Sequence, residues 1–124
     1  MTDPADEKAV RELIGRYIDG TYQADIEKLK GVFHEKAVMN GYLGELLIMG
    51  DPSPFFEDLA GSPSMLSNND PYKAEITNIT IEGNTAAVTL YETGFRGSVS
   101  LVNFHQCIKT DGEWKIISKL FTTI

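Results

Sequence analysis

Few side chains in this sequence of 124 residues combine a reactive group with a useful position. His105 is the strongest candidate, because imidazole titrates near neutrality and can act as an acid, a base or a hydrogen-bond donor. Glu92 is the carboxylate expected to share its face of a sheet, so His105 and Glu92 form the candidate catalytic pair if the protein is an enzyme. A single histidine is more often a core or rim residue bonded to a neighbour, and both roles stay open.

The remaining residue types with reactive side chains favour packing over chemistry. Cys107 lies mid-strand among apolar residues, where burial raises the pKa of a thiol. His34 is expected at the end of a second helix, where imidazole can bond free carbonyl groups. The two histidines lack metal-ligand spacing, and the single cysteine can form neither an internal disulfide nor a thiolate zinc cage. No phosphate-binding or GxSxG motif occurs, so we expect no metal site and no cofactor.

A pocket for a flat organic ligand is the other function that the side chains suggest. Aromatic rings commonly line such pockets, while hydroxyl and amide groups orient the ligand. The residues expected to contact the ligand are Asn103, His105, Tyr17, Tyr42, Phe33, Trp114 and Ser118. For each aromatic residue taken singly, packing in the core is the more common role.

Helices are predicted in the first half of the chain. Asp3 and Pro4 supply a cap and a proline at the first helical position, and an apolar stripe with helical spacing follows until Gly20. Asp25 caps a shorter second helix that carries Phe33 on its apolar face. Further along the chain we expect a short strand and a second apolar segment over 37–50, a short helix over 55–60, and a loop over 61–71. This loop is a surface connection or a lid.

The hydrophobic period changes to two from residue 72 onward, which predicts an antiparallel meander. The expected strands are Lys73–Glu82, Thr85–Phe95, Ser98–Thr110 and Trp114–Thr123. Helices followed by a meander are typical of an α+β domain with helices on one face of the sheet.

The Asp111-Gly112 turn fixes the register of the last hairpin. A two-residue turn there places His105 opposite Ser118 and Asn103 opposite Leu120. Asn103, His105 and Ser118 then face the space between helices and sheet, where buried polar groups must bond each other or a ligand. A single bulge would exchange the two faces beyond it. The opposite face, which includes Lys119, is too apolar for water alone and suggests a subunit interface.

The composition predicts one domain over residues 1–124, large enough to form its own core. The formal charge of −7, with scattered lysines, argues against nucleic acid and anionic membranes as partners, because both reward clustered Lys and Arg. The first residues lack a signal-peptide pattern, and no apolar run reaches membrane-spanning length. We therefore expect a cytoplasmic protein.

Two segments resemble the nuclear transport factor 2-like superfamily, also called the cystatin-like cone fold. Leu29–Ala37 is similar to its "L…F-H-x-x-A" helix end, and Asp111–Ile116 is similar to its "D-G-x-W-K-I" final hairpin. The lumazine-binding branch, close to the SnoaL-like proteins, is the most similar, although its name does not denote a demonstrated activity. The resemblance implies a strongly curved antiparallel sheet around a cone-shaped cavity, helices over its wide side, and a homodimer through the outer sheet face.

The sequence departs from the catalytic members of this superfamily. Relatives such as ketosteroid isomerase, scytalone dehydratase, limonene-epoxide hydrolase and polyketide cyclases use an acid or base inside the cone. Where isomerase-like members place an Asp after the second helix, this chain has Asn40-Gly41, and on the penultimate strand it has Asn103. An amide can bind a ligand but cannot act as an acid or base near neutrality.

We therefore expect a protein that binds a small organic ligand without catalysis. One alternative is a small isomerase, dehydratase or polyketide-cyclase-like enzyme that uses acid–base residues in the cone. The second alternative is a scaffold for protein interaction.

Overall fold

Three helices pack against one face of a curled six-stranded sheet in this computed structural model, which describes residues 3–124. The elements are α1 (Pro4–Gln23), α2 (Ile26–Val32), β1 (Phe33–Leu43), β2 (Leu46–Gly50), α3 (Ser53–Ala60), β3 (Lys73–Glu82), β4 (Thr85–Phe95), β5 (Val99–Thr110) and β6 (Glu113–Thr123). The strand order is β2-β1-β6-β5-β4-β3, antiparallel except for the β1–β6 pair. The predicted α+β cone fold is confirmed. None of the helices formed by residues 3–124 is both long and apolar enough to cross a membrane.

Helix α1 begins as predicted and ends later. The Asp3 carboxylate accepts a hydrogen bond from the Ala5 amide at 2.9 Å. The helix continues past Gly20 and ends only where Ala24 adopts a left-handed conformation, with φ of 53°. Gly20 instead allows α1 and α2 to approach closely, because a Cβ there would lie 2.9 Å from Cγ of Leu29.

His34 lies in a strand, so its prediction at the end of the second helix is wrong. Helix α2 ends at Val32, and Phe33 has the extended φ and ψ of −90° and 141°. Phe33 pairs with Ile116 of β6, so pairing with a distant strand overrides the local helical signal. The His34 imidazole Nδ1 accepts a hydrogen bond from the Lys36 amide at 3.0 Å.

The predicted register of the final hairpin holds only near its turn. Cys107 pairs with Ile116 as expected, but the register then shifts by one residue and His105 pairs with Lys119. This irregularity leaves one extra residue in β6 and exchanges its two faces beyond that point. The prediction that Ser118 and Leu120 face inward is therefore wrong.

Lys119 and Phe121 take the inward positions on β6 instead. Only 6% of Lys119 and 8% of Phe121 is exposed, against 50% of Leu120. On the other side of β5, strand β4 pairs regularly over residues 85–92, with Glu92 opposite Leu101 and Leu90 opposite Asn103, and its register shifts only beyond Glu92.

The parallel pairing of β1 with β6 requires a glycine at residue 41. Gly41 pairs with Phe121, and a Cβ on Gly41 would lie 2.1 Å from the Phe121 carbonyl oxygen. Because no other residue type lacks that atom, Gly41 lets β1 close one side of the cone against β6.

Candidate functional site

A cavity of about 190 Å³ lies between α3 and the concave face of the sheet. Its wall is largely apolar and includes Met39, Ile48, Phe55, Phe95, Leu101 and Phe121. The charged residues on the wall are Glu92, Lys119 and Asp58. Glu92 and Lys119 are both buried, so the cavity combines an apolar surface with two opposite charges shielded from water.

Glu92 is a buried carboxylate with two fixed donors. The Tyr72 hydroxyl donates to its Oε2 atom, and the Asn103 amide donates to its Oε1 atom. Tyr72, immediately before β3, stacks on Tyr22 of α1 with ring centroids 5.9 Å apart. Burial, followed by the negative charge of Glu92, raises the pKa of Tyr72, which therefore stays protonated and donates.

Lys119 extends into an aromatic enclosure. Its Nζ atom donates a hydrogen bond to the Tyr17 hydroxyl of α1. The same atom lies 4.1 Å from the ring centroid of Phe55 and 5.3 Å from that of Phe121, distances at which a cation is attracted to the ring faces. Burial lowers the pKa of Lys119 to about 8, and the charge of Glu92 opposes this shift.

His105 lies beside this enclosure, within the core. It is 1% exposed, and its ring centroid is 4.6 Å from that of Tyr17. Burial and then the positive charge of Lys119 lower the pKa of His105 well below its usual value, so the imidazole is neutral at pH 7. Within residues 3–124, neither of its ring nitrogens has a hydrogen-bond partner, and the same holds for Oδ1 of Asn103.

None of the seven residues predicted to contact a ligand belongs to the cavity lining found for residues 3–124, although Asn103 and Tyr17 bond to Glu92 and Lys119 of that lining. Phe33 is buried behind the cavity, in aromatic contact with α1 and α3. Trp114 donates a hydrogen bond to Oδ1 of Asp6 at 3.1 Å and fastens α1 to the last hairpin. Tyr42 is 48% exposed, and Ser118 is half-buried opposite Gln106. Their contact with a ligand stays a prediction.

The sequence-based interpretation of the site missed Lys119. It assigned this lysine to the outer face, because a continuous period of two was assumed along β6. Leu120 and Phe121 are both apolar, so the hydrophobic pattern fits either register and carries no signal for the shift. The only local sign that Lys119 can reach into a core is its long side chain, with the apolar Ile117 and Phe121 two residues away on either side.

The loop predicted over 61–71 is packed at the rim of the cone. Met65 is 1% exposed, and its sulfur accepts a hydrogen bond from the Arg96 amide at 3.2 Å. Arg96 also binds the Asp58 carboxylate of α3 at 3.0 Å. The Leu66 amide donates to the Tyr22 carbonyl at 3.0 Å. These contacts connect the loop to α1, α3 and the β4–β5 turn, and Asp58 belongs to the cavity wall.

Comparison with known proteins places this architecture in a family. A family model described as "Putative lumazine-binding" matches residues 5–122. A structure of an NTF2-like protein of unknown function from Methylobacillus flagellatus is 22% identical, with a TM-score of 0.88 over 99% of this chain and 95% of the other. Another, from Shewanella baltica, is 23% identical, with a TM-score of 0.85 over 100% and 98% of the two chains.

A third NTF2-like protein of unknown function, from Silicibacter pomeroyi, is 18% identical, with a TM-score of 0.87 over the full length of both chains. At these identities the structural likeness establishes the fold alone. A comparison with curated proteins finds no match. The family model spans nearly the whole chain, and this protein therefore belongs to the family described as "Putative lumazine-binding" and has the NTF2-like fold.

Proposed function

We propose that this protein binds a small, planar organic molecule in the cavity beneath α3 and does not transform it. The observation that carries the proposal is the placement of Glu92 and Lys119 in the wall of one apolar cavity. A ligand that fits this wall has an oxygen acceptor directed to Lys119 and an N–H or O–H donor directed to Glu92. Apolar walls with a few fixed polar groups are typical of small-molecule sites.

The cavity volume limits the size of the ligand. An apolar cavity of about 150 Å³ holds one benzene molecule, so about 190 Å³ suits about one or two rings. Drug-sized ligands need about 300 Å³ or more, which disfavours steroid-sized molecules. Lumazine, named in the description of the family, is a planar two-ring compound that carries both carbonyl oxygens and N–H groups.

Buried charges in this position favour a binding role over a structural one. An uncompensated charge in a core costs several kcal/mol. Well-packed apolar residues at the same positions commonly stabilise a protein at least as well as buried charges do. Glu92 accepts one hydrogen bond on each oxygen, from Tyr72 and Asn103, although an ionised carboxylate has about four acceptor positions. The remaining lone pairs can accept hydrogen bonds from a ligand.

Fluorescence titration with lumazine tests the proposal. Naphthalene, of similar shape without polar groups, serves as the comparison ligand. We expect saturable lumazine binding that weakens about tenfold or more in Lys119→Met and in Glu92→Gln, because each variant leaves one end of the ligand unpaired. Lys115→Met is the matched control, since Lys115 lies on the same strand outside the cavity wall and should leave affinity unchanged. Failure of lumazine to bind saturably would contradict the proposal.

Proton transfer by Glu92 is the second candidate function. The observation that favours it is a carboxylate held in the cavity by two donors, on the strand beside the one where catalytic relatives carry their acid. Cyclohexanone in deuterated buffer would then gain deuterium at its α-carbons in the presence of the protein, and Glu92→Gln would abolish the exchange. Ligand binding without deuterium exchange would rule out proton transfer and support binding without catalysis. The assignment of His105 as a partner of Glu92 stays a prediction.

A homodimer through the outer sheet face is also part of the proposal. Tyr91, Phe104 and Leu120 lie on that face and are 43–50% exposed. Large apolar side chains grouped in this way favour association. Size-exclusion chromatography with light scattering tests for the homodimer. Phe104→Lys should shift the measured mass toward that of a monomer. Cytoplasmic location and the absence of nucleic-acid and membrane partners remain predictions.

A further inference from the structure

Lys119 differs in environment from every other lysine in residues 3–124, because the others are exposed or half-buried. Its amine lies in the wall of the cavity, where it can meet a ligand, yet only 6% of the residue is accessible to solvent. A primary amine enclosed by apolar groups is the arrangement that turns lysine into a nucleophile toward carbonyl compounds.

The aromatic enclosure suits the cations that such chemistry involves. Nζ of Lys119 lies 4.1 Å from the Phe55 centroid, 5.0 Å from the Tyr17 centroid and 5.3 Å from the Phe121 centroid. Ring faces stabilise an ammonium and would equally stabilise a protonated imine. The negative charge of Glu92 acts on the same amine and would offset the positive charge of the adduct.

We propose that the cavity captures an aldehyde or ketone as a reversible imine on Nζ of Lys119. The inference rests on the proposed binding function and adds a second class of ligand, which the reversible bond releases unchanged. The neutral amine attacks the carbonyl carbon, and a proton moves from nitrogen to oxygen to give a carbinolamine. The carbon–oxygen bond then breaks, the hydroxyl leaves with a proton as water, and a carbon–nitrogen double bond forms. No group is oxidised or reduced.

The protonation states of the site support this step. With a pKa of about 8, roughly a tenth of Lys119 is neutral at pH 7, whereas an ordinary lysine is neutral in fewer than about one molecule in a thousand. Tyr17 keeps its proton because burial, with the charge of Glu92, raises its pKa well above the usual value. Its hydroxyl touches Nζ of Lys119, and it can therefore donate a hydrogen bond to the oxygen of the carbinolamine.

Reductive trapping with benzaldehyde and sodium cyanoborohydride tests the inference, because the reagent converts an imine into a stable secondary amine. We expect one benzyl group per chain, located on Lys119 by peptide mass spectrometry, and a pH profile with its midpoint near 8. In proportion to the neutral fraction, Lys119 should react a few hundredfold faster at pH 7 than an exposed lysine. Lys115→Met should be labelled like the wild type, and Lys119→Met should lose the adduct.

Benzyl alcohol separates this inference from the proposed function. It has the same ring without a carbonyl group, so it should occupy the cavity and protect Lys119 from labelling. This experiment uses only the wild-type protein and does not depend on whether the variants fold. Saturable binding of benzyl alcohol without an adduct on Lys119 would overturn the imine and leave the binding function intact. Labelling spread over exposed lysines would also overturn the imine. If neither compound binds, the imine and the proposed occupancy of the cavity by one-ring ligands both fail.

Discussion

Replacement of Lys119 by methionine should change how stability depends on pH. Burial lowers the pKa of Lys119 from 10.5 to about 8, which corresponds to about 3 kcal/mol of free energy. Below pH 8 the amine is protonated in both the folded and the unfolded chain, so the folded protein bears the full free-energy cost of burying its charge. Above about pH 10.5 the amine is neutral in both states and the penalty is absent.

The wild-type protein should therefore gain about 3 kcal/mol relative to Lys119→Met as the pH rises from about 7 to about 10.5. The comparison must be a difference between the two proteins, because other groups titrate in the same range and cancel. Methionine keeps the apolar stem in the core. It also removes the bond to the Tyr17 hydroxyl, which costs about 1 to 3 kcal/mol independently of this pH change.

Urea unfolding at a series of pH values, followed by circular dichroism, measures this difference. Lys115→Met is the matched control, because Lys115 lies on the same strand with a partly exposed side chain. Its difference from the wild type should vary by less than about 0.5 kcal/mol over the range. A flat difference for Lys119→Met would refute the burial of an ionisable amine, and with it the electrostatic basis of the proposed site.

Three further predictions test the packing and the charges. Gly41→Ala should destabilise the protein by about 3 kcal/mol or more, because its Cβ would lie 2.1 Å from a backbone oxygen of β6. A Cβ at Gly15 in α1 would meet no atom within 4 Å, so Gly15→Ala should stabilise the protein by about 1 kcal/mol in the same urea titrations. Equal changes in stability for Gly41→Ala and Gly15→Ala would contradict the close pairing of β1 and β6. Burial raises the pKa of Cys107 to about 12, so DTNB should react with it only after unfolding, and rapid labelling of the native protein would contradict its place in the core. Hydrogen bonds, that from Lys109 foremost, lower the pKa of Asp6 below its unfolded value of about 3.9. Asp6→Asn should therefore lower stability near pH 7 and lose this effect as the pH falls to about 2, and an effect independent of pH would rule out the charged interaction.

The fold could be predicted because its strongest signals are local. Turn chemistry at Asp111-Gly112 and the period of two place β3 and β4 at their observed bounds and β5 and β6 within one residue of theirs. The start of β1 could not be predicted in the same way. Phe33 and His34 continue a helical pattern, and the pairing that ends the helix joins Phe33 to Ile116 of β6, about eighty residues away.

The candidate site could be predicted only in part, and the reason lies in one residue of β6. Asn103 and His105 are buried as expected, because the register between β4 and β5 is regular around them. The register shift beyond Cys107 depends on how the sheet curls, and the types of the neighbouring residues do not indicate it. It exchanges a short hydroxyl at Ser118 for the amine of Lys119 at the cavity and so changes the chemistry that the cavity offers.

The polar groups of the concave face form one band across three neighbouring strands. Glu92 lies on β4, Asn103 and His105 on β5, and Lys119 on β6, with Asn103 bonded to Glu92. His105 is neutral near pH 7, so it cannot act there as a cationic acid. In the proposed site Lys119 is the donor to a ligand and Glu92 is the acceptor, because both belong to the cavity wall. A donor and an acceptor fixed at separate positions of an apolar cavity admit a planar ligand in one orientation, which is what selective binding requires.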